Sequence, residues 1–281
     1  MGNIYVCFRK LLTSPGFYLC ILGTVALLFS AQVYTDTVNE NRYSVIQAAM
    51  EFDGGYCLQH YDLCDFMIMK NAEYGWLTLF VPIITAFCFV PSMCTEQASN
   101  AIRYQIFRSS RLKFELSRFL SGIISGGTAA AVGYAVFCGT VSLLFPAAAE
   151  YGGYEGQILA DITFSFPCEL LGIWLYGVFW STPAMLLTSM MRNKYLIICI
   201  PFFVKYGMTQ GYQRMIQSAV GDFENVDHDL LKFLNITSPE ALMGLDGSGD
   251  FGWILLCFGT LLSGFLILYL TIQKSRRDCG A

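Results

Sequence analysis

Residues 119–146, FLSGIISGGTAAAVGYAVFCGTVSLLFP, contain no Asp, Glu, Lys or Arg. At about 1.5 Å rise per residue, a helix of that length is long enough to cross the roughly 30 Å hydrocarbon core of a bilayer. The run also carries small residues four apart, with Gly122, Gly126 and Ala130 on one row and Gly127, Ala131, Ala135 and Gly139 on the next. Small residues at that spacing let two helices approach closely and gain packing energy that lipid does not replace. These positions are expected at a helix contact, either within one subunit or at a moving or dimer surface.

The rest of the chain is of the same kind. Of its 281 residues, 55% are hydrophobic and only 14% charged, against about 25% charged in soluble domains. The mean hydropathy is +0.51. Further apolar runs lie at about 16–34, 74–93, 167–191, 195–209 and 251–272. Residues 1–281 thus read as a single membrane domain with six spans. The run at 195–209 is the weakest, because Pro201, Lys205 and Gly207 interrupt it. The first run is expected to be retained, since Phe29-Ser30-Ala31 is a poor cleavage site. Pro15 after Thr13-Ser14 looks like a helix start. Before it, Ile4, Phe8, Leu11 and Leu12 share a helical face away from Arg9 and Lys10, as in a helix lying in the membrane interface.

Charge sets the orientation. With both ends cytoplasmic, twelve of the seventeen basic residues fall on inner segments, Arg9, Lys10, Lys194 and Lys274 among them. The acids collect in outer segments at about 35–73 and 210–250. That asymmetry follows the positive-inside rule and gives no sign of a nucleic-acid partner, because the basic residues flank membrane spans. The first outer segment is expected to be a small ordered cap, and the second to form short helices at the outer surface. Cys57 and Cys64 share the first of them. They are close enough for a disulfide if the chain turns back between them, and about 10 Å apart, too far to bridge, if they sit on one helix. The sequon Asn235-Ile236-Thr237 has meaning only in a glycosylating host.

Motifs of soluble enzymes fail on context. Gly247-x-Gly249-x-x-Gly252 and Asp250-Phe251-Gly252 follow no strand and precede the last span. Asp227-His228-Asp229 reads as an exposed acidic loop before it reads as a metal site. No phosphate-binding loop, metalloprotease signature or nucleophile elbow is present in the sequence. Lys205 would lie near the middle of the bilayer, where an unpaired charge costs several kcal/mol. Glu169 is a candidate partner for it; a span ending early at Lys205 is the alternative.

Residues 95–119, TEQASNAIRYQIFRSSRLKFELSRF, concentrate Arg103, Arg108, Arg111, Lys113 and Arg118 behind Glu96. Ala98, Ala101, Ile102 and Ile106 recur at helical spacing, Ser109-Ser110 breaks the pattern, and Leu112, Leu116 and Phe119 resume it. On charge alone this is a positive-inside anchor. In the order Glu96, Ile102-Arg103, Arg108, Ser109, Arg111 and Ser117-Arg118-Phe119-Leu120, it resembles the loop between the second and third spans of ABC transporter permeases of the bacterial multidrug, antibiotic and antimicrobial-peptide exporter class. Asn100-Ala101 and Ser109 depart from that pattern.

The resemblance implies an all-α membrane protein. It would have six transmembrane helices with cytoplasmic ends, an interfacial N-terminal helix, a cytoplasmic coupling helix between spans 2 and 3, and outer helices between spans 5 and 6. It also implies that Glu96, Ile102, Arg103 and Arg108 contact a separate ATP-binding subunit. ATP and Mg would belong to that partner, with no catalysis and no cofactor on this chain. A second permease, identical or different, would complete a plasma-membrane exporter of an amphipathic peptide, drug or lipid-like molecule. Three other readings remain. A membrane-embedded enzyme would need a convergent His, Ser, Cys or carboxylate set, whereas His60 and His228, the only histidines, both fall in outer segments. An ion-coupled secondary transporter would need acids at mid-depth, whereas Glu73, Asp161 and Glu169 fall near outer ends. A non-transporting sensor or immunity subunit would use the same architecture.

Overall fold

The computed structural model describes residues 2–36, 41–99, 111–148, 155–191, 193–220, 228–243 and 251–278. The chain is mostly helical. Helix α1 (Gly2–Leu12) meets α2 (Pro15–Phe29) at a bend of 58°. Ser14 caps the second helix by accepting the Phe17 N–H at 3.4 Å, and Pro15 occupies the first turn, where no N–H is needed. A hairpin of β1 (Gln32–Thr35) and β2 (Arg42–Ser44) follows, then α3 (Val45–Glu51) and α4 (Gly54–Cys57). Helix α5 (Asp65–Ala72) continues through a π-helical turn, Glu73–Leu77, into α6 (Thr78–Ala98). The remaining helices are α7 (Arg111–Leu144), α8 (Glu155–Met190), α9 (Lys194–Val220), α10 (His228–Thr237) and α11 (Phe251–Asp278).

Among the described residues, four helical stretches are long and apolar enough to cross a membrane: Asp65–Gln97, Leu112–Leu144, Phe166–Met190 and Gly252–Ser275. The bent pair Tyr5–Leu12 and Pro15–Phe29 makes a fifth if it is taken as one span. The expected run at 195–209 lies on α9, which is 27 residues long but does not join that set. Lys205 interrupts its apolar part, and Gln210, Gln213 and Arg214 follow. The hairpin is a departure from an all-helical expectation. It belongs to the predicted cap, whose ordering is visible in the reciprocal bonds of Ser44 and Gln47 at the start of α3.

Helices α2, α6, α7 and α8 touch through small residues, with α6 antiparallel to α2 and to α7, and α7 antiparallel to α8. Gly16 and Gly23 of α2 face Phe87 and Ile84 of α6, and Gly133 of α7 faces Thr24 of α2. Gly122 faces Met93 and Met185, while Gly126 faces Thr85 and Ser181. At Gly127 a Cβ would come within 2.7 Å of the Trp174 carbonyl oxygen; on Gly177 it would come within 2.9 Å of the Gly127 Cα. The backbones of α7 and α8 therefore meet there directly. Ala131 is buried and Ala135 half-buried. Gly139 departs from the expected row, because nothing lies within 4 Å of a Cβ built on it.

Buried hydroxyls in these spans turn back onto their own helices, as an environment without water requires. Thr85 donates to the Val81 carbonyl at 2.9 Å, Ser125 to Gly122 at 2.8 Å and Ser181 to Gly177 at 2.7 Å. Prolines create the opposite need, since each removes the N–H that would satisfy the carbonyl four residues earlier. Pro82 does this to Thr78, whose carbonyl instead accepts the Tyr176 hydroxyl at 2.7 Å. Pro183 does it to Phe179, whose carbonyl accepts the Thr182 hydroxyl at 2.6 Å.

Candidate functional site

Two charged constellations stand at different levels of the helical bundle. The first is at the end where α1 and α6 finish and α7 begins, which carries Lys10, Arg118, Lys194 and Lys274 and is here termed the basic end. Glu96, in the last turn of α6, forms an ion pair through Oε1 with Lys10 Nζ of α1. Its Oε2 lies 4.0 Å from Arg118 Nη2 of α7. Arg118 is buried, and Nη2 donates to the Met93 carbonyl at 3.4 Å. One turn away on α7, buried Glu115 accepts the Tyr269 hydroxyl of α11 at 2.9 Å. Gln97 Nε2 donates to the Thr188 carbonyl of α8 at 2.9 Å. Side chains at this end thus tie α1, α7 and α8 to α6, and α11 to α7, around the start of the expected coupling segment. Glu96 is one of the four residues expected there; Ile102, Arg103 and Arg108 lie outside the described residues. In the sequence Lys10 is legible only as an orienting charge, and Arg118 only as part of the basic loop pattern. Their meeting with Glu96 had no signal in a single sequence.

The second constellation lies deeper. Lys205 of α9 is buried and pairs with Glu240, which sits on a 3₁₀ turn, Pro239–Leu242. Its ammonium also stands 5.7 Å from the Tyr176 ring and 5.6 Å from the Trp180 ring, both within cation–π range. Glu169 takes other partners: Lys70 of α5 at 2.9 Å and the Tyr134 hydroxyl of α7 at 3.2 Å. The expected pair of Lys205 with Glu169 is therefore not the one formed. Depth explains it. Glu169 lies seven to eleven residues before Tyr176 and Trp180, so about 10–16 Å along α8 separate it from the ammonium. Glu73, also buried, is carried beside this layer by the π-helical turn.

Glu240 reaches Lys205 because the segment after α9 folds back. The Tyr212 hydroxyl of α9 donates to the Thr237 carbonyl at the end of α10, at 3.0 Å. Three residues later Glu240 meets Lys205, and the Leu242 carbonyl packs on Gly172 of α8, where a Cβ would stand 2.5 Å away. The descending turn thus needs a glycine on α8 to seat it. Asp65 pins another junction: its Oδ1 accepts the Phe66 and Ala148 N–H groups at 2.7 and 3.0 Å, joining α5 to the end of α7.

The sequence of this chain matches no protein-family model and no curated protein, and its fold matches no solved structure. The remaining expected sites are placed by geometry alone. Cys57 and Cys64 are both buried as thiols and are not bridged; burial pushes both thiols up from the ordinary value. Among the described residues no cluster of His, Cys, Asp and Glu is grouped to hold a metal. Asp227, Gly247, Gly249 and Asp250 lie outside the described residues.

Proposed function

We propose that the chain is the membrane-spanning subunit of an ATP-driven exporter of the ABC class, in the plasma membrane of a bacterial cell. It would cross six times with both ends cytoplasmic, α9 with its polar second half being one crossing. A separate subunit would bind ATP and Mg and grip the bend between α6 and α7. A second permease, identical or different, would complete the path for an amphipathic cargo. The supporting observation is the link from Glu96 to Lys10 and Arg118. It makes the ends of α1, α6 and α7 a single braced unit, so a push on the bend would tilt all three helices together.

Affinity purification from the native host tests this. Recovery of a stoichiometric ATP-binding chain, lost when Glu96→Ala and Arg103→Ala are combined, is the expected result. A chain that purifies alone and still transports would refute it. Buried Glu73, Glu169 and Lys205, with Lys70 and Glu240 half-buried beside them, favour a second reading, an ion-coupled transporter. That reading requires transport to stop with a protonophore and to persist when ATP is depleted at a constant ion gradient.

A further inference from the structure

A notch of about 460 Å³ opens at the bend between α1 and α2, against the last turns of α6. Its walls change character with depth. Apolar Phe87, Cys88 and Pro91 line one part, and Lys10, Glu96 and the hydroxyl residues Ser92, Thr95 and Ser99 line another. Phe87 is partly exposed on the flank of α6. The notch therefore lies where an apolar span gives way to a charged helix end, the depth at which a lipid changes from acyl chain to headgroup.

The charges there have capacity beyond their mutual pair. Lys10 has three N–H donors, and its side chain is 52% exposed. Glu96 Oε2 is 4.0 Å from Arg118, beyond hydrogen-bond reach. A cation and, beside it, a carboxylate oxygen complement a group bearing a phosphate and a protonated primary amine.

We propose that this notch binds an aminophospholipid, with its phosphate at Lys10, its ammonium at Glu96 Oε2 and its acyl chains along the Phe87 flank of α6. A free anion would need only the lysine; the adjoining apolar wall and the Glu96 acceptor select the lipid.

The full chain, reconstituted in nanodiscs containing equal parts of phosphatidylethanolamine, phosphatidylcholine and phosphatidylglycerol, is released and weighed by native mass spectrometry. Retention of phosphatidylethanolamine roughly tenfold above the other two, equivalent to about 1.4 kcal/mol, is expected. Methylation removes the amine donors in phosphatidylcholine, and phosphatidylglycerol has no amine. Lys10→Met should weaken this retention, and Ser92→Trp, which fills the notch, should abolish it. Thermal unfolding of both variants establishes that they are folded, and Lys10→Met serves alone if the tryptophan is not accommodated. Equal retention of the three lipids, preference for phosphatidylglycerol, or phosphatidylethanolamine retention untouched in the folded variants would each overturn the assignment.

Discussion

The pair of Lys205 with Glu240 predicts an asymmetry between its two partners. The lysine side chain is 2% exposed and the glutamate side chain 31% exposed, so the lysine is the member that depends on its partner for burial. Removing one partner of a buried pair costs about 3–5 kcal/mol, because a charge is left without compensation. The rings of Tyr176 and Trp180 would still face the ammonium and return about 0.5–2 kcal/mol. Glu240→Gln is therefore expected to destabilise by about 2–3 kcal/mol, which at roughly 2 °C per kcal/mol lowers the melting temperature by about 4–6 °C. Lys205→Met removes the charge while nearly conserving volume, and should cost less than about 1.5 kcal/mol. Combining the two should restore most of what Glu240→Gln loses. Thermal unfolding of the purified full chain, followed by size-exclusion chromatography after heating, measures all three. If Lys205→Met is as damaging as Glu240→Gln, or if the double variant is worse than either, the pair is not what compensates the buried ammonium.

Helix packing makes a sharper contrast. Gly127→Val would drive a side chain into the Trp174 carbonyl and Val178, and should cost more than about 3 kcal/mol or abolish expression; Gly139→Val, in open space, should change stability by less than about 0.5 kcal/mol. Tyr269→Phe removes the hydroxyl that buried Glu115 accepts and should cost about 1–3 kcal/mol in the same melting assay. The cap should loosen in alkali. The bond to Tyr56, with burial, raises the Tyr34 phenol, and burial raises the Cys57 and Cys64 thiols. All three hold protons more tightly folded than unfolded, so their contribution is complete below the unfolded thiol's value of 9.0 and is lost as pH rises through the folded values. Maleimide labelling of Cys57 and Cys64 should stay slow at pH 8, and hydrogen exchange in residues 41–64 should accelerate above about pH 10.

The long apolar helices at 74–93, 119–146, 167–191 and 251–272 were legible in the sequence, because each run holds at most one charged residue, Glu169 in the third, and runs of that length and polarity suit a bilayer. So was the close approach at Gly122, Gly126 and Gly127, where the four-residue spacing is itself the signal. The fate of Lys205 was half legible. Its burial demanded an acid, but Glu240 lies 35 residues on, beyond any helical periodicity, and is delivered by a four-residue turn too short to announce its depth. Lys10 and Glu96, 86 residues apart, meet only because α1 folds across the ends of α6 and α7. The hairpin β1–β2 escaped notice for a related reason: strands of four and three residues carry no measurable alternation.

The direct backbone contact of Gly127 with Gly177 has a mechanical consequence. Gly127 stands sixteen residues from one end of Arg111–Leu144 and seventeen from the other, and Gly177 is eleven and thirteen residues from the ends of Phe166–Met190. The contact thus sits at the centre of α7, like a rivet with no side chain in between to yield, and off-centre on the whole of α8, where it is twenty-two and thirteen residues from the ends of Glu155–Met190. With arms of about 25 Å, a rotation of about 10° about that point carries each tip of α7 through about 4 Å, in opposite senses at its two ends. A fulcrum at the midpoint of α7 transmits displacement without reducing it, so a tilt that moves one end of α7 away from α8 moves the other end towards it by a similar distance.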